Sequence, residues 1–150
     1  MNSAHIHLIV NHVPVILTIF SLFVLLAGYF TNKPEYRKLA FFGFVIAAIF
    51  AIITFYTGDG AEDIVEDIAG FSHDAIENHE HAAENSRLFA ILLGIFGLGG
   101  IFYFKDDKVK GFKVFIIVII LLALVASAYL IYTGYLGGMI RHTELYSGLI

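Results

Sequence analysis

Cysteine is absent from the sequence. That excludes disulfides, thiolate metal sites, iron–sulfur ligation and covalent c-type haem attachment. Tryptophan is absent too, so an aromatic belt at a membrane interface has to be built from tyrosine. Tyr29, Tyr56, Tyr103 and Tyr135 stand near the ends of apolar runs, where such a belt belongs. Charge is scarce: Asp, Glu, Lys and Arg make up 15% of the chain, against about a quarter in a soluble domain. Hydrophobic residues make up 59%. A chain of 150 residues is one domain in size, and that much apolar surface has to face lipid.

Four apolar runs carry the excess: 13–30, 39–56, 88–104 and 112–135. Apart from Lys113 at the edge of the fourth, none contains Asp, Glu, Lys, Arg or His. Each is about as long as a helix must be to cross a hydrocarbon core. Soluble helices carry a polar residue every third or fourth position, and these do not. Backbone groups in lipid must be satisfied within their own segment, which favours helices. The expected fold is an all-α membrane protein, a bundle of four transmembrane helices forming a single domain. The first run has no basic segment before it and no small-residue cleavage site after it, so it reads as an anchor rather than a cleaved signal.

Orientation follows from the basic residues. Lys33, Arg37 and Lys38 lie between runs one and two; Lys105, Lys108, Lys110 and Lys113 lie between runs three and four. That end is expected to be cytoplasmic. The other end carries both termini, all seven histidines and ten of the thirteen acids, but only Arg87 and Arg141 as cations. In a bacterium it would face outward from the inner membrane, on the periplasmic side. Histidines sorted to one side in this way are the strongest functional signal in the chain.

The outer loop, 57–85, is too long for a turn. Asp59-Gly60-Ala61-Glu62 reads as a capping box opening a short amphipathic helix that Gly70 would end. Ser72 is placed to cap a helix that runs into the third span and projects beyond the bilayer. Gly94, Gly97 and Gly100 form a small-residue track, read as ordinary close packing. Tyr56-Thr57-Gly58 and Tyr132-Thr133-Gly134 hint at two related hairpins about a twofold axis along the membrane normal.

Imidazole is the common ligand for Zn, Cu, Fe and haem iron, and a four-helix bundle with inward ligands can house such a centre. For haem b, His12 and His79 lie on different helices at similar depth, and Arg87 and Arg141 can meet the propionates. His7 joins them if the chain before Asn11 is extended and folds back over the bundle. For a transition-metal ion, His12, His79 and His142 with Glu62, Glu66 or Glu80 make a mixed nitrogen and oxygen set. His79 and His81 point about 200° apart on a helix, so one of them faces the bundle. His5, His73 and His81 read more simply as solvated helix-end residues, and the acidic loop as a solvated surface. No ionisable residue lies deep in a span, which argues against a proton pump or channel.

The run His7-Leu-Ile-Val-Asn-His12-Val-Pro14 has the pattern H-x-x-x-x-H-x-P. It resembles the first-helix signature of an uncharacterised family of bacterial four-helix membrane proteins, in which the run reads like HPLLVHFP. Gly58, Ala61 and His79 or His81 fall where that family has a glycine with small residues after helix 2 and a histidine before helix 3. Members are often fused to Rieske or cytochrome c domains. The resemblance therefore implies redox work and a b-type haem, and it points to His7, His12 and His79. The chain departs from the pattern in lacking a proline after His7 and in its longer, more acidic loop. Three expectations stand together: a haem b protein of electron transfer, an outer-face metal-binding or sensing protein, and an accessory subunit of a larger membrane complex. The partners expected are the bilayer, a separate redox protein or a second copy of the chain, and no nucleic acid. No nucleophile motif or phosphate loop is present, so no reaction is assigned to the chain on its own.

Overall fold

The computed structural model describes residues 2–65, 72–104 and 108–141, with the side chains of Val65 and Arg141 set aside. Five helices cover nearly all of these residues: α1 (Ser3–Val10), α2 (His12–Phe30), α3 (Pro34–Val65), α4 (His73–Phe102) and α5 (Phe112–Arg141). Four helical segments are long and apolar enough to cross a membrane: Ser3–Phe30, Pro34–Ile64, His73–Phe102 and Phe112–Ile140. In each, only 33–39% of the most apolar window is buried. The outward faces carry Phe23, Ile46, Ile95 and Leu121, side chains that water would not tolerate in such numbers and lipid does.

The α1–α2 junction has a local cause. Pro14 has no N–H to give Val10, the residue one helical turn before it. The Thr54 hydroxyl donates to the Val10 carbonyl instead, at 3.4 Å. Asn11 stays in the right-handed helical region (φ −62°, ψ −26°), so the chain passes from α1 to α2 without unwinding. The extended segment expected before Asn11 is thus replaced by a helix, opened by the Asn2 side chain accepting from the His5 N–H at 3.1 Å.

α3 also departs from expectation. No short helix opens at Asp59; α3 continues unbroken from its apolar run to Val65. Thr57 turns its hydroxyl back onto the carbonyls of Ile53 (2.9 Å) and Thr54 (3.0 Å), so it offers the backbone no break. Gly58 and Gly60 are tolerated because α1 packs on them: a Cβ at Gly60 would lie 2.7 Å from Ser3 Oγ. Gly70 lies outside the described residues. At α4 the Ser72 hydroxyl accepts from the Ala75 N–H at 3.4 Å, and the helix projects well before Leu88, as its sequence predicts.

The helices pack as a ring in chain order, around a core of Leu25, Phe41, Phe44, Leu93, Ile116 and Ile119. Ala4 and Ile140 line one cavity, so both ends of the described chain meet at the histidine-bearing end. The ring is built twice over. The shift of 72 residues that carries His7 onto His79 also carries buried Pro14, Thr18, Ser21, Leu25 and Gly28 onto buried Ser86, Ala90, Leu93, Gly97 and Gly100. A shift of 79 carries buried Ala40, Phe44, Ala47, Ala48 and Ala51 onto buried Ile119, Ala123, Ala126, Ser127 and Leu130. The second hairpin therefore repeats the first, but in a register about one helical turn from the one the Tyr-Thr-Gly triplets suggested.

The glycine track of α4 sits against α3. A Cβ at Gly97 would meet the Phe41 carbonyl oxygen at 2.8 Å, whereas one at Gly99 would meet only Phe115, at 3.8 Å. Backbone cannot step aside as a side chain can. Gly97→Ala is expected to destabilise by about 1–3 kcal/mol. Gly99→Ala should be neutral or stabilising by up to about 1 kcal/mol, from helix propensity alone. Denaturation in detergent would measure both; equal effects of one sign would mean that α3 and α4 are not packed in this register.

Candidate ligand site at the histidine-bearing end

Two imidazoles face each other where α1 and α4 overhang the apolar bundle. His7 comes from α1 and His79 from α4; their ring centres are 6.5 Å apart and their planes stand at 88°. Each is held by a carbonyl oxygen of the helix beside it: His7 Nδ1 by Thr54 at 3.0 Å, His79 Nδ1 by Thr133 at 2.9 Å. A carbonyl oxygen only accepts, so Nδ1 carries the proton in both rings and Nε2 keeps its lone pair. That tautomer is the one in which Nε2 can ligate a metal.

The supports repeat as the histidines do. Gly58 follows Thr54 by one turn, and Gly137 follows Thr133 by one turn, so that each acceptor opens a T-x-Y-x-G run. A Cβ at Gly58 would lie 3.3 Å from His7 Cε1, and one at Gly137 3.0 Å from His79 Cε1. The glycines thus leave room for an imidazole to reach a helical carbonyl. Thr133 is tied in turn to Ser86 through their hydroxyls, at 2.7 Å.

The pair stands at a cavity of about 620 Å³ whose lining is mostly apolar and comes from all five helices. Its polar groups include Asn11, Asp59, Glu62, Glu80 and Arg87. The Asn11 side-chain oxygen is buried with no hydrogen-bond partner among the described residues, so a water or a ligand donor suits it. The Arg87 guanidinium lies over the Phe55 ring, 3.7 Å from its centre.

The sequence candidates fall into three groups. His7, His79, Glu62, Glu80 and Arg87 come together around the cavity. His12 borders the same cavity but is exposed, and the ring facing His79 belongs to His7. Five residues of helix turn the side chain by about 140°, so α1 and α2 cannot direct both histidines inward. Glu66, His142 and the Arg141 side chain lie outside the described residues. Among the described residues no three His, Cys, Asp or Glu side chains gather as a metal cluster, so the mixed set expected around His12 does not form there. His81 faces out, between Glu77 at 3.6 Å and Glu84 at 3.8 Å. His5 is exposed and holds Asn2 Oδ1 at 2.7 Å. Thr54, Thr133 and Gly137 complete the site, and their signal in the sequence is the doubled T-x-Y-x-G run.

A model of predicted membrane proteins of unknown function, DUF2231, matches residues 4–143. The chain belongs to this family. The match runs from the start of α1 past the end of α5, so the family unit contains both histidines and both carbonyl acceptors. The family description places its members in a membrane and gives no activity. Neither the curated proteins nor the solved structures contain a match to the chain.

Proposed function

We propose that the chain is a b-type haem protein of the membrane that passes electrons, with His7 and His79 as the residues that would hold the haem iron. The observation that carries this reading is the spacing of the two rings. Metal–imidazole bonds are about 2 Å, and a ring nitrogen is about 1 Å from its ring centre. Rings on opposite sides of one ion then stand roughly 6 Å apart, and rings at a tetrahedral angle roughly 5 Å. The 6.5 Å separation fits the first arrangement.

The donor count points the same way. A bare metal ion needs three or four protein ligands, whereas a tetrapyrrole brings four nitrogens and asks for two. The cavity of about 620 Å³ suits a ligand of that class, and its apolar lining suits a macrocycle. Held by His7 and His79, such a group would supply single-electron exchange. The chain's own part is to orient. The Thr54 and Thr133 carbonyls fix the tautomer and raise the basicity of Nε2, and the apolar walls limit water. With the lysine-rich end in the cytoplasm by the positive-inside rule, the site faces the periplasm of a bacterial inner membrane. The electron partner is then a separate protein.

Oxidised and dithionite-reduced absorption spectra of the detergent-purified protein, with elemental analysis of the same sample, test the reading. Sharp reduced bands of a six-coordinate b-type haem are expected. They should be lost in His7→Ala and His79→Ala and kept in His12→Ala, and Gly137→Ala should lower haem content by displacing the His79 ring. Colourless protein after expression with added haem precursor would overturn the reading. Bound metal without haem would then favour a metal-ion site, and neither would favour an accessory subunit of a larger complex.

A further inference from the structure

The two halves of the bundle match in their histidines and differ in what surrounds them. The shift of 72 residues carries Val15 onto Arg87, and the shift of 79 carries Phe55 onto Gly134. All four line the cavity. At the seam of α3 and α4 stands a cation on an aromatic ring. At the equivalent seam of α2 and α5 stand Val15 and Gly134, with open space where a Gly134 Cβ would be. A ligand between the two histidines thus meets the Arg87 guanidinium at one seam, and at the other Val15 and Gly134, with His12 one turn before Val15.

Arg87 is half-buried, and its guanidinium makes no hydrogen bond or ion pair with a described residue. Asp59 and Glu80 line the same cavity, yet neither is paired with it. Phe55 covers one face of the guanidinium and takes none of its five in-plane N–H donors. A planar donor fork of this kind matches a carboxylate bidentately.

We infer that Arg87 binds a carboxylate of the tetrapyrrole held between His7 and His79, and so sets its orientation: carboxylate edge toward the α3–α4 seam, apolar edge toward Val15 and Gly134. This rests on the haem reading above. Val15 in the other half offers no such contact, so the flipped orientation loses a charge-assisted pair.

Titration of haem-free protein in detergent with iron protoporphyrin and with its dimethyl ester, followed at the Soret band, tests the inference. The variants are Arg87→Gln and His79→Ala beside the wild type. The wild type should bind the free acid about 10- to 100-fold more tightly than the ester, the range of a charged hydrogen bond. Arg87→Gln should bind both alike, with the wild-type affinity for the ester, and that retained binding shows the variant to be folded. A wild type that does not distinguish acid from ester, or an Arg87→Gln variant that keeps the preference, would overturn the role of Arg87. If neither porphyrin gives a six-coordinate spectrum that His79→Ala abolishes, the haem reading itself fails and the inference falls with it.

Discussion

A carbonyl oxygen in a helix has a second lone pair after its own helix bond is made. At Thr54 and Thr133 the carbonyl also meets an imidazole from another helix, and at Thr54 it takes the Thr57 hydroxyl as well. The arrangement makes several demands at once. A Cβ on the residue one turn on would press on the imidazole, and Gly58 and Gly137 carry none. The histidine must reach across from a helix that overhangs the apolar core, so α1 and α4 extend past the membrane-spanning runs. At the first site Pro14 also leaves the Val10 carbonyl to the Thr54 hydroxyl. The orientation of both rings, their tautomer and their separation all follow from these two contacts.

The hairpin that provides one such contact is present twice. A single hairpin would place one histidine against one carbonyl; two about a common axis place two histidines face to face. The core repeats in the same registers, with Phe44 and Ala123, or Leu25 and Gly97, at equivalent buried positions. The size differences within these pairs carry the departures from symmetry. Small residues on α4 let α3 come close, and larger ones on α2 hold α5 off. The cavity inherits that inequality: Arg87 stands on the α3–α4 side, and Val15 and Gly134 stand at the equivalent places on the other, beside His12 and Thr133.

Several local patterns in the chain give way to tertiary structure for one physical reason. A capping box at Asp59 is a local pattern, and it lost to a helix already propagating from the span before it. His12 stands closer to an apolar run than His7 does, but depth along a helix says nothing about the face of that helix. The Tyr-Thr-Gly triplets looked like the repeat because they share letters in sequence. The residues that correspond in space are Thr54 with Thr133 and Gly58 with Gly137, one turn away.

What the sequence determined by itself is whatever depends on composition along the chain: four apolar runs, their helical state, the sorting of cations to one end and histidines to the other, the Ser72 cap and the glycine track. Water and lipid act on each segment separately, so these features need no knowledge of its neighbours. What only the tertiary structure decided is the pairing: His7 rather than His12 opposite His79, the helical carbonyls that hold them, and the side of the cavity that carries Arg87. Those depend on helix rotation and on contacts between residues some fifty positions apart in sequence. Neighbouring helices set both by packing, and no local pattern encodes them.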